Sequence, residues 1–84
     1  MWNAHVWVKW NESYPHRNNG THWDWLEGWD EVRQAWSTMG DWDGCFWVQT
    51  STPEDLEKFV WGKLRAKGWV AETRSIWARS AWEA

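Results

Sequence analysis

Few side chains in this sequence could do chemistry, and the best placed of them meet at one turn. Gly40-Asp41-Trp42-Asp43 sets two carboxylates beside an indole. Such a group can hold an amine by charge and cover its side chain by stacking or cation–π contact. The same four residues also suit a plain hairpin turn whose Asp side chains bond local backbone, and the sequence leaves both readings open. His5, His16 and His22 are the histidines, and His16 and His22 are separated by a polar stretch that matches no compact metal-ligand spacing. Cys45 is the single cysteine, so neither an internal disulfide nor a thiolate cluster can form. On the strand pattern below it reads as a small apolar side chain rather than a nucleophile. There is no Gly-rich phosphate loop, no nucleophile elbow and no acid–base pair at a recognisable spacing. The expectation is a protein without catalytic residues, metal or cofactor.

Tryptophan dominates what remains. The sequence holds 13 indoles in 84 residues, spread from Trp2 to Trp82. Each can bury about 150–250 Å², and a chain of this length removes only roughly 64% of its unfolded surface from water. One small core therefore has no room for all of them, and an outer surface rich in indoles implies a partner or a ligand. The indoles could form cages for a cation, a flat heterocycle or a sugar. Alternatively they fill the core and the contacts between subunits, where aromatic residues are enriched. The formal net charge of -3 argues against nucleic acid as a partner. Lys58, Lys63, Arg65, Lys67, Arg74 and Arg79 are interleaved with acids and read as a solvated face. The first residues lack a signal-peptide pattern, no stretch approaches the ~20 apolar residues of a membrane span, and the lone cysteine fits a reducing compartment. Cytoplasmic residence is expected.

The elements that must position these residues follow from periodicity. Ala4, Val6, Val8 and Trp10 alternate with His5, Trp7 and Lys9, which predicts a strand. Asn11 to Gly20 reads as a loop. Thr21 could cap a short helix from His22, with Trp25, Leu26 and Trp29 as its stripe and Gly28 near its end. A longer helix through Val32 and Trp36 competes with that reading. Val32 to Met39, a Gly40-Asp41 turn and Trp42 to Thr50 form a hairpin. In its second strand, Trp42, Gly44, Phe46 and Val48 share one face, while Asp43, Cys45, Trp47 and Gln49 share the other. Ser51-Thr52-Pro53-Glu54-Asp55 opens a helix whose stripe is Leu56, Phe59, Val60 and Leu64, and Gly68 stops it. From Trp69 to Ala78 the alternation returns, with Val70, Glu72, Arg74, Ile76 and Ala78 opposed to Trp69, Ala71, Thr73, Ser75 and Trp77. The order strand, helix, strand, strand, helix, strand makes residues 1–84 a single α+β domain. Its expected form is the ferredoxin-like βαββαβ two-layer sandwich, with helices on one sheet face. The other face is bare in a monomer, and indoles on both strand faces imply that a second protomer's sheet covers it.

The run Glu31-Val32-Arg33-Gln34-Ala35-Trp36 into Gly40-Asp41-Trp42-Asp43 resembles the ligand-binding domain of Lrp/AsnC regulators. So do the helix Leu56-Glu57-Lys58-Phe59-Val60 through Lys63-Leu64-Arg65 and the strand Gly68-Trp69-Val70 to Thr73-Arg74-Ser75. The resemblance covers about residues 30–78 and departs over 11–29, where that family has a longer regular helix. It implies a homo-oligomer in which two protomers pack sheet on sheet and dimers join into rings. It also implies an amino-acid effector bound near Gly40, Asp41, Trp42 and Asp43. The family's helix-turn-helix domain has no counterpart here, which corresponds to the stand-alone form. Trp7, Trp47 and Trp77 are expected at the sheet–sheet contact, and Trp82 against a neighbouring subunit. The expected function is a non-enzymatic, ligand-binding homo-oligomer for an amino-acid-like, aromatic or cationic small molecule. The alternative is a Trp-rich structural or protein-binding module. A dimeric α/β-barrel enzyme would need a titratable residue in a cavity, and the sequence identifies none.

Overall fold

The computed structural model describes residues 2–14, 16–17, 20–21, 24–79 and 81–82. In chain order the elements are β1 (Trp2–Trp10), a minimal hairpin of β2 (His16–Arg17) and β3 (Gly20–Thr21), and a 3-10 turn at Asp24–Leu26. There follow β4 (Val32–Ser37), β5 (Gly44–Thr50), helix α1 (Pro53–Phe59) and β6 (Val70–Ala78). Between α1 and β6 the chain makes a π turn, Val60–Leu64, and a 3-10 turn, Arg65–Lys67.

The alternation in β1 puts Ala4, Val6 and Val8 fully inside while Asn3, His5, Trp7 and Lys9 stay half-buried. Val6 stands opposite Phe46 and Ala4 opposite Val48, so β1 and β5 bring their apolar faces together on one side. With β4 and β6 they form an antiparallel sheet in the order β4-β5-β1-β6, which is the ferredoxin-like order. Leu56, Phe59, Val60 and Leu64 then close the core from the helix side, as their spacing predicts. Burying each of the larger side chains contributes roughly 1.5–3 kcal/mol.

Local chemistry explains where α1 begins. The Thr52 hydroxyl accepts the Asp55 backbone N–H at 3.2 Å, Pro53 opens the helix, and Glu54 and Asp55 face its positive end. Regular α geometry stops at Phe59, short of the expected run. Gly62 adds little helix preference, and the wider π turn keeps Val60 and Leu64 buried with Trp61, Gly62 and Lys63 outside. Gly68, at φ 81°, reverses the chain into β6.

Three other expectations are corrected. The region expected to be loop contains the β2–β3 hairpin. The first helix is not formed: residues 24–26 make only a 3-10 turn, and β4 occupies the stretch that a longer helix would have used. His22 and Trp23, where that helix would begin, lie outside the described residues, as does the side chain of its expected cap, Thr21. Rings replace it. Trp25 lies edge-on to Phe46 at 5.9 Å, to Trp29 at 5.4 Å and to Trp69 at 5.8 Å, and Trp29 meets Phe59 at 5.6 Å. These edge-to-face contacts cover the core without a helical stripe. Finally, a register shift at Lys9/Trp10 sets Trp10 opposite Val70. Val70 therefore turns into the core instead of sharing a face with Glu72, Arg74 and Ile76.

The described helix and the packed indoles lie on one side of the sheet. Across the opposite side run Gln34 and Trp36 of β4, Cys45, Trp47 and Gln49 of β5, His5 and Trp7 of β1, and Arg74 and Ile76 of β6. No described tryptophan is fully buried.

Candidate ligand turn and open sheet face

The turn between β4 and β5 is built from backbone bonds that its sequence makes possible. Gly40 takes φ 111°, a value that a side chain would oppose. The Thr38 hydroxyl donates to the Trp42 carbonyl at 2.6 Å, and the Thr38 N–H to the Asp43 carbonyl at 3.1 Å. Asp43 then reaches back to β1: its N–H donates to the Val8 carbonyl at 2.9 Å, and its Oδ2 accepts the Trp10 N–H at 2.8 Å. One of the two carboxylates is thus engaged in fixing the turn to the sheet. Asp41 is exposed. The Trp42 ring is half-buried with the Lys9 ammonium 5.1 Å from its centroid, and Lys9 also lies 3.6 Å from Glu72. The indole face on that side therefore already carries a cation from the chain itself.

The open sheet face has relief. One hollow of about 250 Å³ lies among His5, Trp7, Trp36, Thr38 and Cys45. A neighbouring one of about 670 Å³ shares His5 and Trp36 and extends to Asn3, Gln34, Trp47 and Arg79. Asn3 Oδ1 accepts both the Trp47 indole N–H at 3.1 Å and the Gln49 amide at 2.8 Å, which fixes the floor between β1 and β5. Cys45 stands opposite Trp7 on one side and Trp36 on the other, so it is buried although its strand faces outward. That burial pushes its thiol pKa up.

Of the indoles expected at one sheet face, Trp7 and Trp47 share it and Trp77 does not. Trp77 stands opposite Ala4 on the helix side, edge-on to Trp2 at 5.3 Å. Trp82 is 82% exposed beyond β6. Trp36, at the turn end of β4 and opposite Cys45, is the feature that periodicity missed. A register shift between Val32 and Gln34 reverses which side chains of β4 face outward, and only the pairing reveals it.

A further groove of about 380 Å³ lies between β4, β5 and α1, lined by Asp30, Glu31, Asp55, Lys58 and Lys63 among others. Lys63 Nζ donates to both Glu31 oxygens at 2.9 Å. Burial opposes ionisation of Glu31, but the Lys63 hydrogen bond, the residue's own backbone N–H and the Lys63 charge outweigh it, so its pKa is lowered. Among the described residues no group of three or more His, Cys, Asp or Glu side chains could hold a metal ion. No helix among them is long and apolar enough to cross a membrane.

No family model matches the sequence, and no curated protein matches it. Solved structures do. The transcriptional regulator NMB0573 from Neisseria meningitidis, crystallised as its L-Met complex, superposes with a TM-score of 0.80 at 16% identity, over 99% of this chain and 53% of its own. AsnC from E. coli gives 0.76 at 16% identity, over 99% and 54%. This chain has the Lrp/AsnC fold. PHS023 from Pyrococcus horikoshii has it too, with a TM-score of 0.75 at 24% identity over 95% of this chain and 92% of its own. The chain thus spans about half the length of the two Lrp/AsnC regulators and nearly all of PHS023.

Proposed function

We propose that this chain is a non-enzymatic, self-associating sensor domain for a small amine-bearing ligand of the amino-acid class. The observation that carries the reading is the open sheet face. Trp7, Trp36, Trp47 and Ile76 lie on a surface that no described element covers, with Trp36 39% and Ile76 50% exposed. A contiguous apolar face of this kind is stable in water when a like face covers it. A second copy, turned about a two-fold axis, offers one. The Gly40–Asp43 turn lies at the rim of that face, and there Asp41 is free to meet the ammonium of a ligand held between paired protomers. The L-Met complex of NMB0573 supports this ligand class. The unpaired, buried Cys45 fits a reducing, cytoplasmic setting.

Light scattering after size exclusion, across a dilution series, tests the assembly, and Trp47→Lys should lower the mass. A tryptophan-fluorescence titration with L-amino acids and flat heterocycles tests the ligand. A saturable change at micromolar concentration, lost in Asp41→Asn with the mass unchanged, is the expected result. A monomer at every dilution would overturn the assembly, and the absence of any saturable change would overturn the sensor. A second reading, a module that docks a foreign protein, is favoured by Trp61 on the helix side and Trp82 beyond β6, which are 67% and 82% exposed. In that case Trp61→Ala would abolish capture of the partner and leave the ligand titration unaltered.

A further inference from the structure

The edge of the sheet carries a signal separate from its face. β6 is the last strand in the order and pairs only with β1 among the described strands. Its outer row of backbone N–H and C=O groups is therefore open, and Ala71, Glu72, Arg74, Ser75, Ile76 and Trp77 are exposed. An exposed edge of this length is a template for another strand unless something blunts it. No proline interrupts Val70–Ala78, and the register with β1 runs without a break from Ala78 to Glu72.

The sequence of this edge is symmetric in chemical type about Thr73. Glu72 and Arg74 flank it as acid and base, Ala71 and Ser75 as small residues, Val70 and Ile76 as β-branched residues, and Trp69 and Trp77 as indoles. We propose that two copies of this chain pair β6 to β6, antiparallel about a two-fold axis at Thr73, and so join their sheets edge to edge. In that register Glu72 of each copy faces the partner's Arg74, and the two ion pairs lie on either side of the axis. Centring the axis one residue earlier sets Glu72 against the partner's Glu72, and one residue later sets Arg74 against the partner's Arg74. Like charges directly opposite are unfavourable, so among these three centres charge selects Thr73, the one that forms ion pairs. Facing is consistent too: Glu72 and Arg74 lie on the open side, opposite Lys9 and Trp7, while Thr73 lies on the helix side, opposite Val8. There its hydroxyl accepts from Arg65 Nη1 at 3.2 Å.

Both charged groups are available. The Glu72 side chain is 58% exposed although Lys9 is 3.6 Å away, and Arg74 has no carboxylate within ion-pair distance among the described residues. The register shift at the start of β6 limits the contact. It turns Val70 into the chain's own core, and Trp69 packs against Trp25. The paired segment is therefore Ala71 to Ser75, and the outer parts of the symmetry serve the monomer. This contact does not rest on the face-to-face pairing proposed above.

A charge-exchange cycle tests the register. Glu72→Arg or Arg74→Glu alone places like charges across the axis and should weaken the edge contact by on the order of tenfold or more. The scattering mass should then halve at a concentration where the unaltered chain is assembled. The double variant Glu72→Arg/Arg74→Glu rebuilds both pairs with their signs reversed and should restore the mass. On mild oxidation Thr73→Cys should cross-link to a dimer, whereas Ser75→Cys should not. The cross-link should persist when Trp47→Lys is added, which separates the edge from the face. With far-UV circular dichroism confirming folded protein, unchanged mass in both single variants would overturn the proposal. Failure of the double variant to recover, or cross-linking at Ser75→Cys equal to that at Thr73→Cys, would do the same.

Discussion

At Asp43 one side chain and one backbone N–H both reach β1, at Trp10 and Val8. A residue read from sequence as half of an amine-binding pair thus holds the turn against the sheet. Replacing it by Ala removes an acceptor for a backbone N–H. Hydrogen bonds to charged groups contribute about 1.5–3 kcal/mol, and this exposed one should sit at or below the low end, so Asp43→Ala should cost about 1–1.5 kcal/mol. Asp43→Asn keeps an acceptor and should cost less. Urea denaturation midpoints decide it, and equal losses for Ala and Asn would assign the effect to charge instead of the bond. The turn was legible because the Gly40-Asp41 step has turn chemistry between two β-favouring runs. The long-range bond was not, because nothing in the local spacing says that β1 passes beside Asp43.

Among the elements, β1, β5 and the stripe of α1 were legible from periodicity, since each turns one apolar face into the core. The first crossover misled. Trp25, Trp29, Val32 and Trp36 stand at helical spacing, but Gly28 at φ 84° breaks the run and β4 begins just beyond it. What covers the core there is a group of indoles meeting edge to face, and such contacts leave no period in the sequence. Trp25 is at the centre of that group, touching Phe46, Trp10, Trp29 and Trp69. Trp25→Ala should destabilise the fold by about 2–4 kcal/mol, toward the lower side of full core truncations because the ring is half-buried. Trp61→Ala, on an exposed ring, should change stability little. Thermal or urea unfolding of the two variants side by side makes the comparison, and equal effects would mean that the ring group is not the lid of the core.

For the molecule as a whole, the link between Glu31 and Lys63 ties the start of β4 to the π turn across the core's rim. Because the Glu31 pKa is lowered on folding, its contribution is present above the unfolded carboxyl value and fades as pH falls through the folded one. Both side chains are partly exposed, so the contribution is small, about 0.2–1 kcal/mol. Lys63→Met should lose that amount near neutral pH, and the difference should vanish in strong acid. Stability measured by denaturant from pH 7 downward tests the sign, and a gap that widened on acidification would refute the assignment. The open sheet face was legible only as a surplus of indoles. Its geometry needed strand registers, because the shifts in β4 and β6 decide which of Trp36 and Trp77 faces outward.

The ring group also has an optical consequence. Trp10, Trp29 and Trp69 each lie within 6.0 Å of the Trp25 ring at the centre of the group. Over such distances an excited indole hands its energy to a neighbour faster than it emits. Because the rings are near-perpendicular, each hand-over rotates the emission dipole. Light absorbed anywhere in the group is therefore emitted depolarised, as from one composite chromophore that exists only while the core is closed. Trp36 and Trp47 lie on the other side of the sheet, where their emission reports on whatever covers the open face.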